Sequence, residues 1–425
     1  MLLLISSRLI CLMPIGLVLG PLIPELIILI TTTLIIYAKF KNLITFNINY
    51  NFFKINIIVW FALLISSLLS NDVFFSLKNS FFYFRFFIFS IIISIIFQNN
   101  ENLIRQFYNY LLTTFLIVAF FAILQLFFIS YPEIELIIYK LTSLQFNQDL
   151  KLKRISGLFG TELMMGSFII RFMPLFLGLF IYLKYKLNAK SHFFFYTTLI
   201  LNLIMLLLSG ERTSLAMLFI SLSFLFIIFY KFISFRKIFL IFTILILFIF
   251  SFLFFNKTAK FRLLQHTYYE QIYKDNKFHI FSEQHEYQYK TAWKMYLANP
   301  IFGIGPKNYR NECSNIKYYD STIPLDNNIP RSCTTHPHNI LIQIMAETGT
   351  VGLIIYITIL VLLTNQLILN IRNYNNDKIA KLKILIITGV LVSLFPFIPS
   401  GNIFNNWLMI ILFTPIGMLL MYQKK

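Results

Sequence analysis

His336 and His338 stand two residues apart in the polar stretch Cys333-Thr-Thr-His-Pro-His-Asn339, directly ahead of a long apolar run. Pro337 has no N–H and disfavours helix at His336. Asn339 suits the N-cap of a helix that carries Ile340 to Ala346 into the apolar run. His338 is therefore expected at the mouth of a membrane helix, where an imidazole exchanges protons near neutral pH from a semi-rigid support. That is general acid–base chemistry, although the spacing alone is also met by two surface histidines at a capped helix start.

A second set of candidates is cationic. Arg212 lies in Ser209-Gly-Glu-Arg-Thr213, a tight turn between two apolar runs in which Gly210 allows the bend. Arg154 closes a Lys151-Leu-Lys-Arg run, and Arg171 falls in the middle of the apolar run 161–183. An unpaired charge at such a depth is costly and usually faces an internal cavity. Guanidinium groups stay charged and match phosphate oxygens two at a time, so these three are candidates for binding a phosphate-bearing substrate. Each has a plainer reading: a snorkelling or helix-end residue for Arg212, a solvated basic run for Arg154. Snorkelling explains Arg85 fully. Glu211 either orients Arg212 or caps the turn.

The elements that must position these residues are membrane helices. The chain of 425 residues is 58% hydrophobic and only 12% charged, which excludes a soluble globule. A span needs about 20 largely apolar residues. Runs of that kind lie at 3–19, 21–38, 55–70, 81–98, 108–130, 161–183, 193–210, 213–230, 238–255, 339–363, 384–400 and 403–421, giving 12 candidate helices in a single polytopic domain, 1–425. The formal charge of +19 falls in short loops and makes no continuous basic face, so no nucleic-acid partner is expected. Lys39, Lys41 and Lys54; Lys184, Lys186 and Lys190; Lys231, Arg236 and Lys237; Arg372, Lys378, Lys381 and Lys383; and Lys424 and Lys425 all fall on one side, which the positive-inside rule makes the cytoplasm. Both termini are then cytoplasmic.

This topology leaves the segment 131–160, the turn Ser209–Thr213 and the long connection 256–337 outside. A loop of that length is functional or disordered. The run Glu283 to Leu297 within it suits a helix, and the loop is expected to form a small cap. Cys313 and Cys333 both lie there. On an oxidising face they suggest a disulfide, closing a loop of about 20 residues worth roughly 3 kcal/mol, with two free thiols as the alternative. No CxxC or HxxxH spacing accompanies them, so no metal is expected. No paired-carboxylate motif such as DxD is visible on the outer side.

His336-Pro-His-Asn339 followed by Glu347, Thr348, Gly349 and Gly352 resembles the signature of the O-antigen ligase and polymerase superfamily. Three further stretches fit that pattern in the same order: Arg154-Ile-Ser-Gly-Leu-Phe159, Leu208-Ser-Gly-Glu-Arg-Thr213 and Asn299-Pro-Ile-Phe-Gly-Ile-Gly-Pro306. The resemblance covers roughly residues 150 to 420. It implies an all-α membrane glycosyltransferase of GT-C-like fold with a periplasmic subdomain between helices nine and ten, acting in the bacterial inner membrane among its lipids without a cofactor. It also implies an undecaprenyl-diphosphate-linked glycan as donor and a lipid A–core or glycan hydroxyl as acceptor. His338 takes the place of the functional histidine, His336 comes second, and Arg154 and Arg212 match arginines of the pattern. Glu347, two turns down the helix, is expected to be structural, and Ser400–Trp407 to line the acceptor entrance. A ligase is favoured over a polymerase. A secondary transporter is the competing class, but no half-to-half similarity is visible.

Overall fold

A computed structural model of the protein describes residues 2–44, 50–99, 102–130, 154–230, 232, 234–269, 279–374 and 377–421. Lys151 and Lys153 with the rest of the outer segment before Arg154, residues 270–278 of the long connection, and Lys231, Lys424 and Lys425 lie outside the described residues. Among those described, the secondary structure is helical apart from one hairpin, Leu325–Asp326 with Ile329–Pro330. Its turn residues Asn327 and Asn328 both have positive φ, a conformation that asparagine tolerates.

Nine helices among the described residues are long and apolar enough to cross a membrane, ten if the pair Leu2–Cys11 and Met13–Leu19 is one span. The chain is thus a multi-pass, all-α membrane protein. Three of the twelve expected runs differ in form. The first bends by 50° at Leu12, ahead of Met13-Pro14, where proline cannot donate the helical hydrogen bond. Run 384–400 yields only Lys378–Ser393, and run 403–421 yields Asn406–Leu420, of 16 and 15 residues. Pro396 and Pro399 disfavour helix before them, and residues 394–405 are instead a loop that bonds into the histidine segment.

The chain divides into two compact units. One comprises Met1–Thr31, Asn99–Tyr269 and Leu367–Val392; the other comprises Thr32–Gln98, Glu270–Gln366 and Ser393–Lys425.

The first unit is built round the helix Met165–Leu183, buried along most of its length. Tyr108 stacks on Phe176 at 5.5 Å between ring centroids, and Phe115 meets Phe168 and Phe176 edge-on. Small residues allow its backbone to approach its neighbours closely, as membrane helices require when no water drives association. Gly178 lies against Leu382 and Leu385, and Gly389 of the helix Lys378–Ser393 lies against Pro174.

The second unit turns on a broken helix. Ile340–Arg372 runs past the expected end of its span and is interrupted at Gly349, with φ 66° and ψ −160°. A break frees backbone groups that lipid cannot satisfy. The segment Asn299–Pro306 supplies their partners. Thr350 and Val351 donate to the carbonyls of Pro300 and Ile301 at 2.8 and 3.2 Å, while Ile304 and Gly305 donate to those of Ala346 and Glu347, both at 3.0 Å. Ser66, near the end of the helix Tyr50–Leu68, donates its hydroxyl to the carbonyls of Phe302 and Glu347. A Cβ at Gly303 would overlap the Glu347 backbone, and one at Gly349 the Ile301 carbonyl. The two glycines are therefore required by the repair of the helix.

Candidate active site

The histidine segment lies in the second unit and is anchored from several directions. Cys313 and Cys333 form a disulfide, with Cα atoms 5.1 Å apart, three residues before His336. The Tyr309 hydroxyl donates to the Ser332 carbonyl at 2.8 Å. Asn339 accepts the Ile342 N–H at 3.0 Å, capping the helix as its position in the sequence implied, and its amide donates to the Pro396 carbonyl at 2.8 Å. Further down, the Glu347 carboxylate is fully buried and accepts the N–H groups of Lys307 and Tyr309 and the Gln343 amide. Two of these donors, Lys307 and Tyr309, follow Pro306, so Glu347 secures that loop to the helix.

The two histidines occupy different chemical states. His336 is buried with both ring nitrogens engaged, Nε2 at 3.3 Å from the Ser400 carbonyl and Nδ1 at 2.9 Å from the Thr335 hydroxyl. A carbonyl only accepts, so Nε2 carries the proton and Nδ1 accepts from Thr335. Burial, aided by the neighbouring His338, pushes its pKa down to about 3. This ring is neutral with no lone pair to spare.

His338 is half-buried, and its ring makes no hydrogen bond among the described residues. Burial lowers its pKa below the ordinary histidine value, so it is unprotonated and basic at neutral pH. Its backbone φ of 50° lies in the left-handed region, which few non-glycine residues occupy and which surrounding structure must enforce. Here the Ser400 N–H grips the His338 carbonyl at 2.8 Å. Ser400 thus holds both histidines, one through its N–H and the other through its carbonyl.

A stability prediction follows from His336. Its folded pKa lies below the unfolded 6.5, so the unfolded chain takes up the proton first. The stability it contributes is complete above pH 6.5 and is lost as the pH falls toward about 3. His336→Gln, which keeps an N–H donor, should flatten that part of a melting-temperature–pH curve. An unchanged slope would remove His336 as its source.

The arginines lie in the first unit, around the turn 209–212. Gly210 has φ 63°, and a side chain there would touch the stems of Arg154 and Arg262 at 3.7 and 3.8 Å. Arg154 Nε donates to the Ser209 carbonyl at 3.1 Å. Glu211 takes a role that neither expectation named. Its carboxylate accepts the N–H groups of Gly166 and Ser167, at 2.6 and 3.0 Å, and the Ser167 hydroxyl at 2.9 Å. It therefore caps the helix Met165–Leu183 rather than the turn itself, favourably placed against the helix dipole. Arg171, two turns into that helix, is 6% exposed, and the Glu211 charge acts on it. Arg212 is half-buried at the first position of the helix Arg212–Phe229. A cation at a helix N-terminus opposes the dipole. Arg85 bonds the Phe82 carbonyl and the Asn406 side chain at a helix end.

Sequence reasoning missed Arg262 and His285. Arg262 sits on a π-helical turn, Phe261–Gln265, a distortion often found at functional sites. His285, on the helix Glu283–Ala298, places its ring 5.7 Å from that of His338, centroid to centroid, while His336 lies at 4.0 Å. Neither residue carries a local signal; only tertiary structure brings them in. Among the described residues, no three His, Cys, Asp or Glu side chains are grouped to hold a metal ion.

A family model described as O-antigen ligase matches residues 197–357. That stretch contains Arg212, Arg262, His285, the Asn299–Pro306 segment, both histidines and the break at Gly349, while Arg154 and Arg171 precede it. A search of curated proteins finds no match to the chain. The match spans the turn, the helix repair and the histidine segment, and so supports the O-antigen ligase superfamily over that part of the chain.

Proposed function

We propose that the protein transfers a glycan from undecaprenyl diphosphate to a hydroxyl of lipid A–core, on the periplasmic face of a bacterial inner membrane. His338 carries this reading: a neutral, half-exposed imidazole held in a left-handed backbone by Ser400, beside a second imidazole that is locked and cannot act. His338 takes the acceptor proton as the hydroxyl oxygen attacks the anomeric carbon. The electron pair of the broken bond leaves with the diphosphate, and attack from the opposite face inverts the anomeric configuration.

The leaving group needs charge stabilisation, which is assigned to Arg154 and Arg212. A helix N-terminus presents unsatisfied N–H groups and favours an anion, so a diphosphate near Arg212 removes the conflict between that cation and its helix dipole. Arg171 is the third candidate, and its proximity to the Glu211 charge favours an indirect contribution. The charge distribution of the loops supports cytoplasmic termini.

Polymerisation of lipid-linked repeat units needs the same base and the same arginines, and only the acceptor differs. The outer loop with its His-Pro-His-Asn end favours the ligase. Analysis of surface polysaccharide after deletion separates the two. Loss of long chains from lipid A–core with lipid-linked polymer accumulating marks the ligase; single repeats without polymer mark the polymerase.

Since the arginines take the place of a cation in this scheme, transfer by the purified protein should survive excess EDTA. A strict requirement for Mg²⁺ or Mn²⁺ contradicts it.

A further inference from the structure

We infer that the helix Glu283–Ala298 and the residues after it dock on lipid, with Trp293, Leu297 and Ile301 inserted at the headgroup–acyl boundary of the leaflet on their side of the membrane. The inference goes beyond the transfer reaction and does not depend on which group is the base. At 16 residues, with Glu283, Glu286, Lys290 and Lys294 along it, this helix is no membrane span. One of its faces is committed to protein. Gln288, Thr291, Ala292 and Met295 are buried, and Ala292 and Met295 pack in one cluster with Tyr309 and Tyr318. The opposite face exposes Lys290, Trp293 and Leu297, and the chain continues from it to Ile301. Trp293 is 45% exposed, and Leu297 and Ile301 are each 60% exposed. A contiguous apolar patch of this kind marks an interaction surface.

Continuity with a membrane-spanning surface identifies what covers it. The Tyr296 hydroxyl lies 3.0 Å from that of Thr350, and the Pro300 carbonyl accepts from the Thr350 hydroxyl and N–H, both at 2.8 Å. Thr350 opens the part of the helix Ile340–Arg372 that follows the break. Thr350, Ile354, Ile357 and Val361 recur at the spacing of one helix face, and the last three are exposed. Residues 350–372 extend about 35 Å at about 1.5 Å per residue, enough to cross a hydrocarbon core of about 30 Å. The break therefore lies where the span leaves the hydrocarbon, and Ile301 and Leu297 carry its apolar face into the boundary region. The order along that face fits the same level. Lys290 comes first, then Trp293 and Tyr296 with ring centroids 5.3 Å apart, then Leu297 and Ile301. Tryptophan and tyrosine collect at headgroup level, and a lysine there reaches out to water. Thr291 donates to the Ser332 hydroxyl at 2.8 Å, so the docked helix is tied to the segment that leads into His336.

The test uses the full-length protein in vesicles of phosphatidylethanolamine and phosphatidylglycerol, with part of the lipid brominated either near the headgroup or near the chain ends. The chain has 3 tryptophans, so Trp293 emission is read as the difference between wild type and Trp293→Phe. That emission should be lost most to the shallow bromines, less to the deep ones and little to aqueous iodide. A variant carrying Trp60→Phe and Trp407→Phe leaves Trp293 alone and should give the same order directly; it stands in if Trp293→Phe fails to insert. Quenching by iodide with no loss to either lipid overturns the inference. Protection from iodide and both lipids also overturns it, because a second protein surface then covers the face. Strongest loss to the deep bromines contradicts the headgroup-level placement.

Discussion

His338→Ala should leave the protein folded and inserted but reduce transfer by at least the 10²–10⁴-fold, roughly, that a positioned general base contributes. His336→Ala should be milder. The contrast follows from the surroundings of the two rings. His336 spends its proton on the Ser400 carbonyl and its lone pair on Thr335, so its removal loosens the Ser400 loop without removing a proton acceptor. His338 has no such commitments among the described residues, and its carbonyl is held by the Ser400 N–H whatever its side chain is. Comparable losses for the two alanine variants, in proteins present at normal levels, would argue that the pair acts only as scaffold.

Arg212→Lys is expected to lower turnover by about 10²–10³-fold, the usual cost of one preorganised donor. Lysine keeps the charge and would preserve a snorkelling or orientation role. It loses the planar pair of donors that contacts two diphosphate oxygens at once. The defect should appear in kcat, because charge develops on the leaving group as the bond breaks. Near-normal turnover returns Arg212 to the role of a helix-end residue.

Much of the site was legible in the sequence because the signals are local. Pro337 and Asn339 fix where the helix begins, and the cap from Asn339 to Ile342 forms as that order implies. The turn at Gly210 is likewise written in its residues, since φ of 63° favours glycine. Other features were illegible because their causes lie far along the chain. The break at Gly349 is tolerated only because residues 300–305 satisfy the freed backbone, and nothing between Ile340 and Arg372 announces that partner. The last two helices read as full spans by hydropathy, yet the loop between them is drawn toward Asn339, His336 and Gln343. Glu211 resembled a local cap or a partner for Arg212, and its true partners, Gly166 and Ser167, lie more than 40 residues earlier.

His338 is the proposed base. The most direct measurement is kcat/KM for transfer against pH, with purified protein, lipid-linked donor and acceptor lipid. This ratio reports the protonation of the free enzyme. Burial holds the His338 pKa below the ordinary histidine value, so activity should persist through neutral pH and fall only as the pH drops through that lowered value. The residual activity of His338→Ala should lack this acid limb. A limb at the same pH in the variant, or a variant rate equal to the wild type, contradicts the account.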